Sequence, residues 1–261
     1  MRLGRVLFAL AFLATPLRAN EDPQSFPSLA FHQHPGAQLP LGAELFDASG
    51  HATTLREALA QRPSVLVLEY LRCQNLCSLV LTGAVRAISS AGLVPGRDAN
   101  LIAISIDPRE TSADAAAAQS MYVNRFPNPA AAAAGVHFFT AQPAQVRAIA
   151  SAVGFPYRYD EHSRQFAHPA GFVVTTPGGR ISRYVLGLYP PPGLLKPAVA
   201  EASADEVEPP AHPLLLLCFG YDPDEGTAAA LAMRLVRWTS ALLVLLVVAF
   251  IAFLSLRRRA A

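Results

Sequence analysis

Two cysteines four positions apart, Cys73 and Cys77, follow the apolar, β-branched run Ser64 to Arg72 (SVLVLEYLR) and precede a helix-like pattern from Ser78 to Ala91. The pair therefore stands at a strand-to-helix junction. If the segment between them is helical, they lie one turn apart with Cα atoms about 6 Å from each other. That separation permits a disulfide, and equally permits both sulfurs to face one metal ion. Unsatisfied N–H groups at a helix start favour thiolate, the form that attacks disulfides and binds soft metals. A bridge closing so short a loop is a weak staple, because the entropic gain grows with loop length. The pair reads as functional rather than structural.

Of the seven histidines, His168 is placed best to join them. It lies in Phe166-Ala167-His168-Pro169-Ala170-Gly171, immediately before a strand-like run, at the sheet edge where the preceding parallel strands end. Two thiolates and an imidazole make a trigonal Cu(I) site or part of a Cu(II) site, since soft sulfur selects copper and imidazole tolerates it. His137 falls in an expected strand, His162 in a loop, and His32, His34, His51 and His212 in segments without ligand-like spacing; these read as surface or packed residues. The third cysteine, Cys218, sits among Leu214 to Leu217 and Phe219 and reads as a buried or membrane-apposed free thiol. Asp107 reads as the end of its strand.

The elements that must position these residues alternate along the chain. Glu44 to Asp47 and His51 to Thr53 flank a turn and predict a small hairpin. Thr54 and Glu57 have capping-box spacing, so a short helix starts at Leu55. Asn100 to Asp107 (NLIAISID) is a second buried strand, Val136 to Thr140 a third. Helices are expected at 112–125, at Pro143 to Val153, and from Gly193 to Ser203. The run Ala130 to Ala134 is compatible with helix or loop. Gly171 to Thr176 and Arg180 to Leu186 flank Pro177-Gly178-Gly179 as an antiparallel hairpin. Strand–helix alternation closed by a hairpin implies an α/β sandwich with a mixed central sheet.

The two chain ends explain much of the 52% apolar content. Met1 to Arg5 carries positive charge, Val6 to Leu13 is apolar, and Ala14 to Ala19 is rich in small residues, which reads as a cleaved secretory signal peptide over 1–19. Trp238 to Leu256 is 19 residues without a charge, followed by Arg257, Arg258 and Arg259. At about 1.5 Å per residue such a helix spans a bilayer's hydrocarbon core, and the arginines favour a cytoplasmic tail. The expected organisation is signal peptide 1–19, flexible lead-in 20–40, folded domain 41–204, juxtamembrane linker 205–235, transmembrane helix 236–256 and cytoplasmic tail 257–261. This places the main domain in the periplasm, on a single-pass protein of the inner membrane. A net charge of +2 with no clustered basic face excludes a nucleic-acid partner.

The order Cys73-Gln-Asn-Leu-Cys77, then Ser105-Ile-Asp107-Pro108-Arg-Glu-Thr111, then His168 ahead of Val173-Val174-Thr-Thr-Pro-Gly-Gly-Arg180, resembles the SCO/SenC family over about residues 40 to 205. The resemblance implies a thioredoxin-like fold in which Cys73, Cys77 and His168 bind copper and the cysteines form a redox pair. It implies a copper metallochaperone or thiol reductant, whose partners are the copper-binding subunit of a cytochrome c oxidase, a thiol reductant and the membrane. Two departures stand out. Ser78 follows the second cysteine where many members have proline, and the anchor is C-terminal. The segment Leu217-Cys218-Phe219-Gly220-Tyr221-Asp222-Pro223 resembles that of members anchored this way. The competing reading is a general periplasmic thiol–disulfide oxidoreductase without copper, although such proteins usually carry a CxxC pair. A peroxidase-like relative would rest on Arg72 beside Cys73.

Overall fold

The computed structural model describes residues 29–72, 77–162, 164–209, 238–247 and 250–251, with only the backbone described at 77 and 78. The expected signal peptide at 1–19, Cys73, Cys218 with its neighbours, most of the linker and the arginine tail lie outside the described residues.

Hairpin β1 (Glu44–Phe46) and β2 (Ala52–Thr54) leads into helix α1 (Leu55–Leu59). The capping box is present: Glu57 N–H donates to Thr54 Oγ1 at 3.3 Å, and Thr54 N–H donates to the Glu57 carboxylate at 2.8 Å. Strand β3 (Ser64–Glu69), helix α2 (Cys77–Ser90), strand β4 (Asn100–Ser105) and helix α3 (Ser112–Val123) follow. After them come α4 (Pro129–Ala132), β5 (Val136–Phe139) and α5 (Pro143–Val153). A second hairpin, β6 (Arg158–Asp160) and β7 (Gln165–Ala167), precedes β8 (Gly171–Thr175), β9 (Ile181–Leu186) and α6 (Leu195–Ser203).

Among the described residues the central sheet has the order β5-β4-β3-β8-β9, with β3, β4 and β5 parallel and β8 and β9 antiparallel. The sheet is mixed, as the strand–helix alternation requires. All six residues of β3 and of β4 are buried, which parallel strands covered on both faces demand. Successive side chains point to opposite faces. Val65, Val67, Leu101, Ala103 and Phe138 meet α2, α3 and α6 on one side, while Leu66, Leu68, Ile102, Ile104 and Phe139 meet α1 and α5 on the other.

Three expectations change. Strand β3 stops at Glu69 rather than Arg72, because the Leu71 and Arg72 N–H groups bond to the Glu110 side chain instead of a neighbouring strand. Strand β4 stops at Ser105 rather than Asp107, because the Asp107 N–H turns back onto Ser105 Oγ at 3.1 Å. The described part of the lead-in is packed, not loose. Phe31 and Leu39 are buried, and His32, Gly36 and Leu39 donate backbone hydrogen bonds to Gly154, Ile181 and Gly179. This segment covers the edge of β9, whose unpaired backbone groups would otherwise face water. The alanine-rich stretch resolves as α4, with proline in its first turn and an Asn128 cap that accepts from Ala131 N–H.

Residues 238–247 and 250–251 are helical, with Trp238 and Leu245 largely exposed. Among the described residues no helix is long and apolar enough to cross a membrane. The other positions of the span expected at 236–256 lie outside them.

Gly154 caps α5 with φ of +64°, and a Cβ there would lie 1.7 Å from the His32 carbonyl oxygen. Gly154→Ala combines left-handed strain with a backbone collision. It is expected to destabilise the domain by about 1–3 kcal/mol, read as a lower urea midpoint with an unchanged m-value.

Candidate metal centre

The cysteine half of the site begins where β3 leaves the sheet. Tyr70 is buried at that exit, three positions before Cys73, and Cys77 begins α2. Helix α2 runs for 14 residues, so its first N–H groups carry the positive end of a full macrodipole. Cys73 and the Cys77 side chain lie outside the described residues. Among those described, no three His, Cys, Asp or Glu side chains gather to hold a metal ion.

The histidine half arrives from the opposite direction. Strand β8 runs antiparallel to β3, pairing Ser64 with Thr175 and Leu66 with Val173. The residues just before β8 therefore meet the residues just after β3. His168 stands three positions ahead of β8, with its ring 6.0 Å from that of Tyr70 in an edge-on contact and 5.6 Å from Phe155 in a stacked one. Phe155 in turn meets Phe31 of the N-terminal segment at 5.4 Å. An aromatic row from Phe31 to Tyr70 thus supports the imidazole. The strand entry is fixed at Gly171, whose φ of +143° and close approach to the Val185 carbonyl leave no room for a side chain.

His168 Nδ1 lies 3.0 Å from the Pro169 carbonyl oxygen. A carbonyl only accepts, so this contact assigns the ring proton to Nδ1 and leaves the Nε2 lone pair for a ligand. The same outer hydrogen bond orients the ring, as metal-binding histidines require. Burial pushes the imidazole below its ordinary value, and the Pro169 contact opposes that shift more weakly. The set expected from the sequence, two thiols and one neutral imidazole, would suit a soft, borderline ion.

The segment Ser105 to Glu110 contacts both the β3 exit and the β6–β7 hairpin. The Glu110 side chain is buried and accepts from the N–H groups of Leu71 and Arg72, each at 2.7 Å, and from Ser105 Oγ at 2.6 Å. Asp107 does more than end a strand. It accepts from the Arg109 N–H at 2.9 Å and from the Arg109 guanidinium at 2.8 Å through each oxygen. Burial works to raise the Asp107 carboxyl, but these Arg109 contacts outweigh it and hold the group below the usual range. The guanidinium, its own pKa raised by Asp107, lies 4.7 Å from the centre of the Tyr159 ring and 5.9 Å from that of Phe166. It steadies the β6–β7 hairpin that delivers His168. An apolar cavity of about 360 Å³ opens beside it, walled by Ile106, Pro143, Val146 and Tyr157.

Sequence reasoning missed Glu110 and the β6–β7 hairpin. The hairpin's signal was present in Arg158-Tyr-Asp and Gln165-Phe-Ala flanking a polar turn, but three-residue strands are too short for periodicity to mark. Arg72 turns towards carboxylates, 3.9 Å from Glu110 and 3.7 Å from Asp114. His137 is half-buried in β5 and His162 sits exposed in the β6–β7 turn, neither beside His168.

A family model described as SCO1/SenC matches residues 42–198. No curated protein sequence matches the chain. Among solved structures, a protein of Aquifex aeolicus VF5 whose assignment as an electron transfer protein is provisional is 23% identical. It aligns over 65% of this chain and 94% of its own, with a TM-score of 0.56. Arabidopsis thaliana ScoI, solved with copper bound, is 19% identical over 65% of this chain and 98% of its own, with a TM-score of 0.50. BsSco, described as a Sco family cytochrome c oxidase assembly protein with a disulfide switch, is 13% identical over 66% and 97%, with a TM-score of 0.50.

Because burial disfavours its charged form, His168 in the metal-free protein is expected to titrate below the ordinary value of about 6.5 in an NMR experiment. The unfolded chain then binds that proton more readily than the native one. The His168 contribution to stability is therefore intact above about 6.5 and lost progressively as pH falls below it. His168→Gln removes that part of the acid sensitivity.

Proposed function

The chain belongs to the SCO1/SenC family of copper-binding cytochrome c oxidase assembly proteins, and we propose that Cys73, Cys77 and His168 form its copper and thiol-redox site. The observation that carries this reading is the contact of His168 with Tyr70, three positions before Cys73. The neutral ring with a free Nε2 supports it, because an imidazole without a competing proton ligates most readily. Copper is cargo in this scheme. It supplies a soft ion that two thiolates and an imidazole can hold and pass on.

The cysteines couple cargo to redox state. In the dithiol form they provide both sulfur ligands, and as a disulfide they provide none. In the reductant role, a client disulfide receives two electrons and two protons from the Cys73 and Cys77 thiols. The client leaves as a dithiol and the pair is left as a disulfide, which an upstream thiol reductant must reopen. The client in this reading is the copper-binding subunit of a respiratory cytochrome c oxidase.

The domain works on the periplasmic side of the inner membrane, exported by the segment 1–19 and held by a helix over 236–256. The charge-free run Trp238 to Leu256 and the outward apolar side chains of Leu242, Leu245 and Phe250 support the anchor.

Copper titration of the reduced full-length protein tests the site. Wild type is expected to bind one Cu(I) or Cu(II), and the oxidised protein none. Cys73→Ser with Cys77→Ser abolishes binding. His168→Ala keeps the fold and weakens Cu(II) binding by at least about 10–100-fold, the scale of losing even an outer partner of a ligand. If His168→Ala binds both copper states as wild type does, the three-ligand site is wrong and a copper-free thiol–disulfide oxidoreductase becomes the better reading.

A further inference from the structure

The β3 exit ahead of Cys73 is held in place by a residue outside the expected ligand set. Backbone N–H groups that leave a strand must find an acceptor, and those of Leu71 and Arg72 find one carboxylate. Glu110 Oε2 receives Leu71 and Oε1 receives Arg72, so the two oxygens clasp two consecutive peptide groups immediately before Cys73. The carboxylate is itself fixed. Ser105 Oγ donates to Oε2, the Glu110 N–H closes a turn onto the Asp107 carbonyl at 3.1 Å, and the side chain is shut away from water. Arg72 adds its guanidinium, 3.9 Å from the same carboxylate and within 3.1 Å of the Arg109 carbonyl. From that one turn, Arg109 reaches Tyr159 and Phe166 on the hairpin that leads to His168.

We propose that Glu110 is a positioning residue for the Cys73–Cys77 pair, clamping the β3 exit so that the two sulfurs meet each other and His168 in one geometry. The role rests on the copper and thiol-redox reading of the site. A pair held close favours its disulfide, because the effective concentration of one thiol at the other is high. Removing the clamp lowers that concentration. The looser pair is reduced more easily.

The test is equilibration of full-length protein with glutathione, in which the disulfide and two glutathione thiols exchange for the dithiol and one glutathione disulfide. In Glu110→Gln one acceptor oxygen becomes an amide N–H donor facing a backbone N–H. The equilibrium is expected to move towards the dithiol by about tenfold, the scale of losing a charge-assisted hydrogen bond, or about 30 mV for this two-electron couple. The absorption or paramagnetic signature of the Cu(II)-loaded protein shifts with it. Glu110→Asp keeps the charge at shorter reach and gives an intermediate value. Val136→Ala, a core truncation at the opposite end of the sheet, lowers stability and leaves the equilibrium at the wild-type value.

A wild-type equilibrium and copper signature in Glu110→Gln overturn the proposal, and so does an equal shift in Val136→Ala. Should Glu110→Gln fail to fold, Ser105→Ala removes one of the three donors, and the same shift in smaller size is expected. No shift there overturns the proposal too. Should wild type bind no copper while Glu110→Gln still shifts the thiol equilibrium, the clamp stands and the copper reading falls.

Discussion

Six residues of β3 lie parallel and in register with six of β4, from Ser64 against Asn100 to Glu69 against Ser105. Both strands therefore leave the sheet at the same edge and the same height. Everything else at the site depends on this pairing. It sets the β3 exit, which leads to Cys73, beside the β4 exit, which leads to Glu110. The pairing is held by side chains such as Val65, Leu66, Leu101 and Ile102, all essentially removed from water. Burial of each such side chain contributes about 1.5–3 kcal/mol before the cost of ordering it, and many such side chains hold the pair.

The polar contacts at that edge differ in weight. Arg109 and Asp107 form a close pair, but the arginine side chain is 55% exposed, so solvent screens the pair and its net effect on stability is small. Its effect is orientation, bringing a guanidinium across Tyr159 and Phe166. Glu110 is different because its oxygens are closed off from solvent and their donors are backbone. A buried carboxylate without those donors would be strongly unfavourable, so the loop and the strand exit hold one another in place.

The histidine half follows a third logic. Antiparallel β8 returns the chain to the β3 exit, and an aromatic row assembled from Phe31, Phe155, Phe166 and Tyr70 surrounds the ring. Removing water from an imidazole disfavours its charged form, which leaves a neutral donor at physiological pH. Packing of the N-terminal segment onto β9 thereby acts on the chemistry, since Phe31 backs the residue that stacks on His168.

The order of elements was legible from local signals. Buried runs such as SVLVLE and NLIAIS are apolar on both faces, the Thr54–Glu57 box marks a helix start, and Pro143 opens α5 where the sequence places it. The sequence also singles out Cys73, Cys77 and His168 as candidates, because thiol and imidazole chemistry belongs to residue type and spacing. Where the strands stop was not. Leu71 and Arg72 look like continuing strand, and only a carboxylate about forty positions away, brought alongside by β3–β4 pairing, takes their N–H groups. The same holds for residues 30–39, polar and proline-bearing in sequence, yet anchored because Phe31 and Leu39 find a sheet edge to cover. Residue chemistry and local periodicity are short-range and survive in one dimension. Hydrogen-bond partners and the desolvation of His168 depend on which distant segments share an edge, and only the folded chain decides that.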